Sequence, residues 1–484
     1  MGTQERLPPL CVDLDGTLIH ADLSIESIIR GIKKSLWTLF ALPAWLIHSK
    51  SRAKAELAKL SSLDASSLPY NEEVVRIVEE AKRCGRKVIL VTGSNQDLAQ
   101  KVQDHLGIFD DIMASDDETN LTGSTKASAL IARFGKDGYE YVANGAVDIP
   151  VWESAVAAIT VNAPRQIVRR VAALGKPHKN LVSGKSRLRI WLKAIRIHQW
   201  AKNSLIFVPL MTAHRLLDVD ALLAGALAFL SFSLCASATY IFNDLLDIDA
   251  DRKHPRKRNR PFAAGLLTVQ EGLLASVALL AVGIASALLL PLWFQLSLLA
   301  YLTTTVLYSC WLKRVSSIDV LALAGLYTLR IIAGGMATET ALSFWLLAFS
   351  MFIFLCLALV KRVAELIDLE RSSDGTEERS AAGREYEVSD IRILQILGAC
   401  SGYLAVLVLA LYINSPEVSL LYATPELLWL VGPLMLLWIT RLWIVTARGY
   451  MHDDPVFFAL TDPETWLAAA FTAVILYCAS TFTF

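Results

Sequence analysis

The chain has 484 residues, enough for more than one domain. Hydrophobic residues make up 54% and charged residues 19%, too apolar an average for an ordinary soluble protein. Lys and Arg number 46, as do Asp and Glu, so the net charge points to no nucleic-acid partner. The seven cysteines are scattered without a CxxC, which argues against a disulfide framework or a zinc site.

Up to about Arg196 the sequence alternates as soluble domains do. Its start has no apolar signal core, so this part is expected to stay on the cytoplasmic side. Leu10–Asp13 reads as a strand, Lys87–Thr92 as a second, Asn95–Leu106 as a helix and Glu140–Ala143 as a third strand. Strands separated by helical stretches predict a parallel α/β sheet with functional loops at the strand C-termini. The insertion Ser24–Glu80 has helical periodicity and reads as a cap. Its stretch Ser35–Ile47 is apolar but too short and Pro-broken to span, and reads as dipping into the membrane surface.

Asp13-Leu14-Asp15-Gly16-Thr17 follows the first strand directly, and two carboxylates two apart on that loop make a nucleophile and acid/base pair. With Thr92, Lys126 and the run Asn144-Gly145-Ala-Val-Asp148, residues from Leu10 to Ala163 resemble the haloacid dehalogenase (HAD) phosphatase superfamily. The resemblance implies a Rossmann-type sheet in which Asp13 attacks phosphorus and Asp15 is the general acid/base. It also implies that Thr92 and Lys126 bind the phosphate, with Mg²⁺ on Asp13, Asp15, Asn144 and Asp148. The fourth motif departs from the family's GDxxxD: Asn144 can coordinate through its carbonyl oxygen but removes a negative charge. The alternative is a docking or regulatory domain that kept the fold.

Arg165–Arg196 is rich in Lys and Arg and reads as a juxtamembrane linker drawn to anionic headgroups. Beyond it come apolar runs near the length that spans a bilayer, roughly 20 residues. They predict nine helices, centred near Ile206, Leu230, Val282, Thr303, Leu326, Ile353, Leu404, Leu436 and Ala473. One set of loops is basic (Arg252–Arg260, Lys313-Arg314, Lys361–Arg384, Arg448), and the other nearly lacks cations apart from Arg215. The positive-inside rule places the basic loops in the cytoplasm, with the N-terminal domain.

Asn243, Asp244, Asp247 and Asp251 are spaced by three and four, so they share one face of a helix where the second membrane helix meets the cytoplasm. Carboxylates at membrane depth are costly without a partner, and Mg²⁺ with phosphate oxygens is the natural one. Lys257 and Arg258 follow in a cation cluster of phosphate-binding type, so a pyrophosphate-containing substrate is expected. This pattern, continuing to Gly265, resembles the UbiA superfamily of intramembrane prenyltransferases over about Ile195–Phe484. Where such enzymes carry a second acidic motif, this chain has Lys361-Arg362-Val-Ala-Glu365. With Lys202, Tyr308, Lys313, Asp319 and Arg330, that element looks like the decaprenyl-phosphate phosphoribosyltransferase branch.

The resemblance implies a Mg²⁺-dependent transfer of 5-phosphoribose from phosphoribosyl pyrophosphate to a polyprenyl phosphate. Asp244, Asp247 and Asp251 would carry the metal. Asn243, Lys257, Arg258, Lys361, Arg362, Lys202, Glu365, Tyr308 and Lys313 would bind substrate. Tyr308 can equally be an interface-belt residue and Asp319 a helix cap. The HAD domain would then remove the 5-phosphate of the lipid-linked product. Two alternatives stand: an isoprenoid transferase acting on an aromatic or other small acceptor, and a transporter with an accessory domain. The expected plan is therefore an α/β HAD-like domain at 1–165 (cap about 20–80), a basic linker at 166–196 and an all-α polytopic domain of UbiA fold at 197–484. The protein is expected in a membrane of the bacterial inner type, with both sites cytoplasmic; the oligomeric state, homo-oligomer included, stays open.

Overall fold

The computed structural model describes residues 7–34, 63–116, 119–182, 184, 186–372, 385–451 and 454–482. The chain divides into two compact units, Met1–Arg196 with Tyr240–Val277 and Ile197–Thr239 with Ala278–Phe484. The predicted cap stretch Ser35–Ile47, Lys185 of the linker and residues 373–384 of the Lys361–Arg384 loop lie outside the described residues.

In the first unit six strands form one parallel sheet in the order β3-β2-β1-β4-β5-β6: β1 (Leu10–Val12), β2 (Val88–Asn95), β3 (Asp111–Ser115), β4 (Glu140–Ala143), β5 (Ala157–Val161) and β6 (His178–Leu181). Side chains alternate across it, as the two-residue period of a strand requires. Leu10, Val12, Val88, Leu90, Val142 and Ile159 face one layer, packed on Val74 and Val78 of α2 (Glu72–Arg83) and on Leu98 and Val102 of α3 (Gln96–Leu106). α1 (Leu23–Lys34) precedes these two helices. Cys11, Ile89, Val91 and Tyr141 face the other layer, against Leu130 of α4 (Gly123–Phe134), Trp152 of α5 (Ile149–Ser154) and Val171 of α6 (Arg165–Ala172). Covering on both faces is what makes these strands near-continuous apolar runs. β1 and β4 are neighbours at the sheet centre, so the loops after Val12 and Ala143 open at the same edge.

Three strands were not legible beforehand. β3, Asp-Ile-Met-Ala-Ser, and β5, Ala-Ala-Ile-Thr-Val, hold few large apolar residues, and β6, His-Lys-Asn-Leu, carries no apolar alternation. β6 exists because its backbone pairs with β5, from Ala158 opposite His178 to Val161 opposite Leu181. The stretch read as a linker from 166 thus supplies the last helix and strand of the sheet.

The long helices that follow are α7 (Val219–Leu246), α9 (Val269–Ala287), α10 (Leu292–Cys310), α11 (Ile318–Ala337), α12 (Phe344–Ser372), α13 (Ile391–Ile413), α14 (Val431–Ala447) and α15 (Pro463–Thr481), with the short α8 (Ile248–Lys253) between α7 and α9. Among the described residues seven helices are long and apolar enough to cross a membrane, where nine were expected. α10 has the length, but Gln295, three consecutive Thr and two Tyr dilute its apolar character. The run near Ile206 is no long helix. It is a 3-10 helix, Ile197–Phe207, followed by the short Val208–Thr212 with Pro209 in its first turn. A 3-10 segment satisfies its polar groups poorly by itself. Here Asn203 donates to Ser233 Oγ at 2.9 Å and accepts from Arg330 Nε at 2.9 Å. Gly334 of α11 admits the segment: a Cβ there would stand 2.0 Å from the Ile206 carbonyl oxygen.

Candidate functional site

The DxDGT loop leaves β1 and turns at Gly16, whose φ of +73° only glycine adopts without strain. Asp13 is buried, and Lys126 of α4 donates to its Oδ1 at 2.7 Å while Thr17 donates to its Oδ2 at 3.3 Å. Lys126 also reaches Tyr141 Oη at 2.9 Å and Asp148 Oδ1 at 3.5 Å, and the Tyr141 hydroxyl donates to Asp148 at 2.9 Å. Asp15 accepts from the Leu23 amide at 2.8 Å, Ser94 Oγ at 2.6 Å and Thr92 Oγ1 at 3.3 Å. The Asn144 amide lies on Gly16, where a Cβ would meet its nitrogen at 2.2 Å. The predicted residues Asp13, Asp15, Thr92, Lys126, Asn144 and Asp148 therefore come together at one sheet edge.

Burial pushes the Asp13 carboxyl up to about 7, against the pull of Lys126. Burial, with the charge of Asp22, raises Asp15 to about 6. Burial also opposes the Lys126 charge, but Asp13 and Asp148 outweigh it and hold the ammonium above its ordinary range.

At the acidic helix end, α7 stops at Leu246, Asp247 forms a turn with φ −100° and ψ 11°, and the chain resumes as α8. The expected single helix is thus two pieces. The spacing survives the break because Asp247 N bonds to Asn243 O at 3.0 Å and Asp251 N to Asp247 O at 2.8 Å. Asp244 and Asp251 are 4% and 3% exposed, and they converge on one guanidinium nitrogen. Arg260 Nη1 stands 3.1 Å from Asp244 Oδ1 and 2.6 Å from Asp251 Oδ2. Arg196 donates to Asp244 at 2.5 Å and lies over the Tyr240 ring. Asn243 and Asp247 are partly buried, and Lys257 and Arg258 are exposed in the loop beyond. Among the described residues no three His, Cys, Asp or Glu are gathered closely enough to hold a metal.

In the second unit Lys361, Arg362 and Glu365 lie on α12, which continues to Ser372 where a loop was expected. Arg362 is 1% exposed. Its guanidinium binds both oxygens of Asp319, the Glu365 carboxylate and, at 2.8 Å, Tyr308 Oη. Tyr308 in turn donates to Asp319 at 2.8 Å. Arg362 is thus committed to protein groups, Tyr308 is no belt residue, and Asp319 receives a buried ion pair instead of capping its helix. Lys202 binds Asp454 Oδ2 at 2.5 Å, and Lys361 approaches the same oxygen at 3.4 Å. Arg330 donates to Tyr301 Oη at 3.1 Å and lies over the Tyr301 and Tyr327 rings. Lys313 is half-buried, in a short turn after α10.

Residues 204–461, more than half of the chain, match the profile of the UbiA prenyltransferase family. The chain belongs to that family. Residues 10–151 match the haloacid dehalogenase-like hydrolase profile, so an HAD-like domain is fused ahead of a UbiA domain. The chain is 37% identical to y4nM, an uncharacterized protein of Sinorhizobium fredii, over 97% of this chain and 90% of that one. It is 33% identical to the nodulation protein NoeC of Azorhizobium caulinodans, over 60% of this chain and 94% of NoeC. It is 37% identical to the decaprenyl-phosphate phosphoribosyltransferase of Mycobacterium tuberculosis, over 41% of this chain and 65% of that enzyme. A UbiA domain with seven apolar helices makes this an integral membrane protein and a transferase by family.

Within that family frame, sequence reasoning missed the roles of five residues at these sites. Tyr141 and Ser94 sit on strands and look like ordinary sheet positions, although Ser94 follows Thr92 closely enough to have been suspected. Arg196 was counted as a linker cation and Arg260 as one of the phosphate-binding cations after the acidic motif, and only tertiary contact brings both to Asp244. Asp454, far along the chain, had no local signal.

Proposed function

We propose that the UbiA domain transfers a 5-phosphoribosyl group from phosphoribosyl pyrophosphate to a polyprenyl phosphate, and that the HAD domain removes the 5-phosphate from the lipid-linked product. The observation that carries the reading is the pair of lysines, Lys202 and Lys361, facing the one carboxylate of Asp454. Prenyl diphosphate chemistry calls for a second acidic cluster. Amino groups at this position suit an anionic phosphate not wrapped in metal. The identity with a mycobacterial enzyme named for phosphoribosyl transfer supports the same choice.

Mg²⁺ fits the donor set at the acidic helix end, because it is commonly held by one or two carboxylates completed by substrate phosphates and water. Asp244 and Asp251, which already converge on one cationic nitrogen, would hold it, with Asp247 on the adjoining turn. Bound there, the ion supplies neutralisation of the departing pyrophosphate. Asn243, Lys257 and Arg258 would contact the donor's phosphates. Lys202 and Lys361 hold and orient the lipid phosphate. That phosphate is ionised at neutral pH, so no general base is required. Tyr308, Glu365 and Asp319 keep Arg362 fixed, and Lys313 adds a cation after α10.

In the HAD domain Asp13 attacks phosphorus, and the P–O bond to the sugar breaks as Asp15 protonates the leaving oxygen. Asp15 then takes a proton from the water that hydrolyses the aspartyl-phosphate. Lys126 balances the charge of the transferring phosphoryl group. Asp13 and the side-chain oxygen of Asn144 would hold a second Mg²⁺, its shell completed by the substrate phosphate and water; Asp148 is engaged by Lys126, Tyr141 and the Gly145 amide, and Asp15 keeps its acid/base role.

The test is full-length protein purified in detergent with Mg²⁺, labelled phosphoribosyl pyrophosphate and polyprenyl phosphate. Label is expected in the lipid phase. No lipid label, with activity on prenyl diphosphate and an aromatic acid, overturns the reading. The HAD step is tested with Asp13→Asn, which is expected to accumulate the phosphorylated lipid that wild type dephosphorylates; the same product from both overturns that step.

A further inference from the structure

α1 belongs by sequence to the HAD domain, yet its side chains are joined to the acidic motif of the UbiA domain; both lie in the first compact unit. The helix starts at Leu23, whose amide binds Asp15. Glu26, in its first turn and buried, accepts a two-pronged bond from Arg252, with Nη1 at 2.8 Å and Nη2 at 2.6 Å. One turn on, Arg30 grips Asp249 the same way, with Nε at 2.8 Å and Nη2 at 2.7 Å, and ties back to Glu26 at 3.0 Å. Asp249 and Arg252 flank Asp251 on α8. A third pair, Lys253 with Asp64, adds 2.9 Å contact at the rim. The cleft lined by Glu26, Arg30, Leu245, Ile248 and Asp249 holds about 10 Å³, room for no more than one water. The contact extends to Gly265, at φ +66°, where a Cβ would lie 2.4 Å from both Cβ and O of His20.

Forked, desolvated guanidinium–carboxylate pairs fix orientation as well as charge. Arg252 also donates Nε to the Ala263 carbonyl at 3.1 Å, so each of its three nitrogens is engaged. Without Glu26, Arg252 would be a buried cation on α8 with no counter-charge, and the short helix that carries Asp251 would lose an anchor to α1. We infer that Glu26 and Arg30 are positioning residues for the transferase: the HAD domain's first helix holds α8 so that Asp251 faces Asp244. The HAD domain then serves the transferase structurally whether or not its own nucleophile acts.

The assignment rests on the transferase reading, and the experiment separates the two. In full-length protein, Glu26→Gln is expected to raise the Mg²⁺ concentration for half-maximal phosphoribosyl transfer about tenfold, the usual scale for losing a partner behind a metal ligand. The kcat at saturating Mg²⁺ should change far less. Hydrogen–deuterium exchange of the amides at 247–254 should rise. Glu79→Gln, at an exposed position on α2, should change neither. The double variant Glu26→Gln/Arg252→Gln leaves no buried charge unpaired and stays testable if the single variant fails to fold; it is expected to keep the raised exchange. Unchanged exchange in both variants overturns the inference, as does raised exchange with a wild-type Mg²⁺ requirement. If wild type transfers no phosphoribose, the function proposed above fails while the exchange measurement still decides the role of Glu26.

Discussion

Lys126 joins two carboxylates, Asp13 and Asp148, that would otherwise be buried side by side without a counter-charge. Lys126→Met is expected to destabilise the soluble domain by about 3 kcal/mol, the scale of orphaning a buried charge, and to remove the proposed phosphatase activity. Thermal unfolding and phosphate release check the two effects. The raised carboxyls of Asp13 and Asp15 also give the metal-free domain a pH dependence of known sign. A folded-state pKa above the unfolded value of about 4 means that the protonated form is favoured on folding. Stability is then fullest below about pH 4 and is lost as pH rises through about 6 for Asp15 and about 7 for Asp13. In chelator-treated protein the soluble transition should fall between about pH 4 and about pH 7, and Asp13→Asn should flatten that fall. A transition that rises over this range contradicts the assignment. In the second unit Asp319→Asn leaves Arg362 without its main partner, and a loss of about 3–5 kcal/mol is expected in thermal unfolding of the detergent-solubilised protein.

At the scale of elements, the close approach of Ile197–Phe207 to α11 depends on the bare backbone of Gly334. Gly334→Ala is expected to cost about 1–3 kcal/mol through overpacking, read as a lower melting temperature in detergent. The same substitution at Gly325, where a Cβ meets nothing within 4 Å, should be near neutral and serves as the control. Strand and helix identity was legible wherever periodicity or capping was strong, as in β2 and in α3, which is capped by Asn95 and closed by Gly107. It was not legible for β6, whose residues have no strand pattern and whose conformation is imposed by β5. The run near Ile206 failed for the opposite reason: its composition is apolar enough for a long helix, but Pro209 and the polar anchors at Asn203 cut it short.

For the whole molecule, the alternation of basic and cation-poor loops carries an orientation that vesicle experiments test. The HAD domain should be cleaved by added protease in inside-out vesicles and protected in right-side-out ones; the reverse pattern contradicts a cytoplasmic placement. Carbonate washing should leave the protein in the membrane pellet, as seven apolar helices require.

By itself the sequence determined the two-part plan, the UbiA and HAD families and most members of both acidic motifs. These rest on local spacing, which needs no long-range contact to be read. Only the tertiary structure decided which charge answers which. Arg260 and Arg196 meet Asp244, Asp454 collects Lys202 and Lys361, and Arg362 is withdrawn into Asp319. Those pairings join residues up to 252 positions apart. A buried charge must find its partner in space, and no pattern along the chain records that distance.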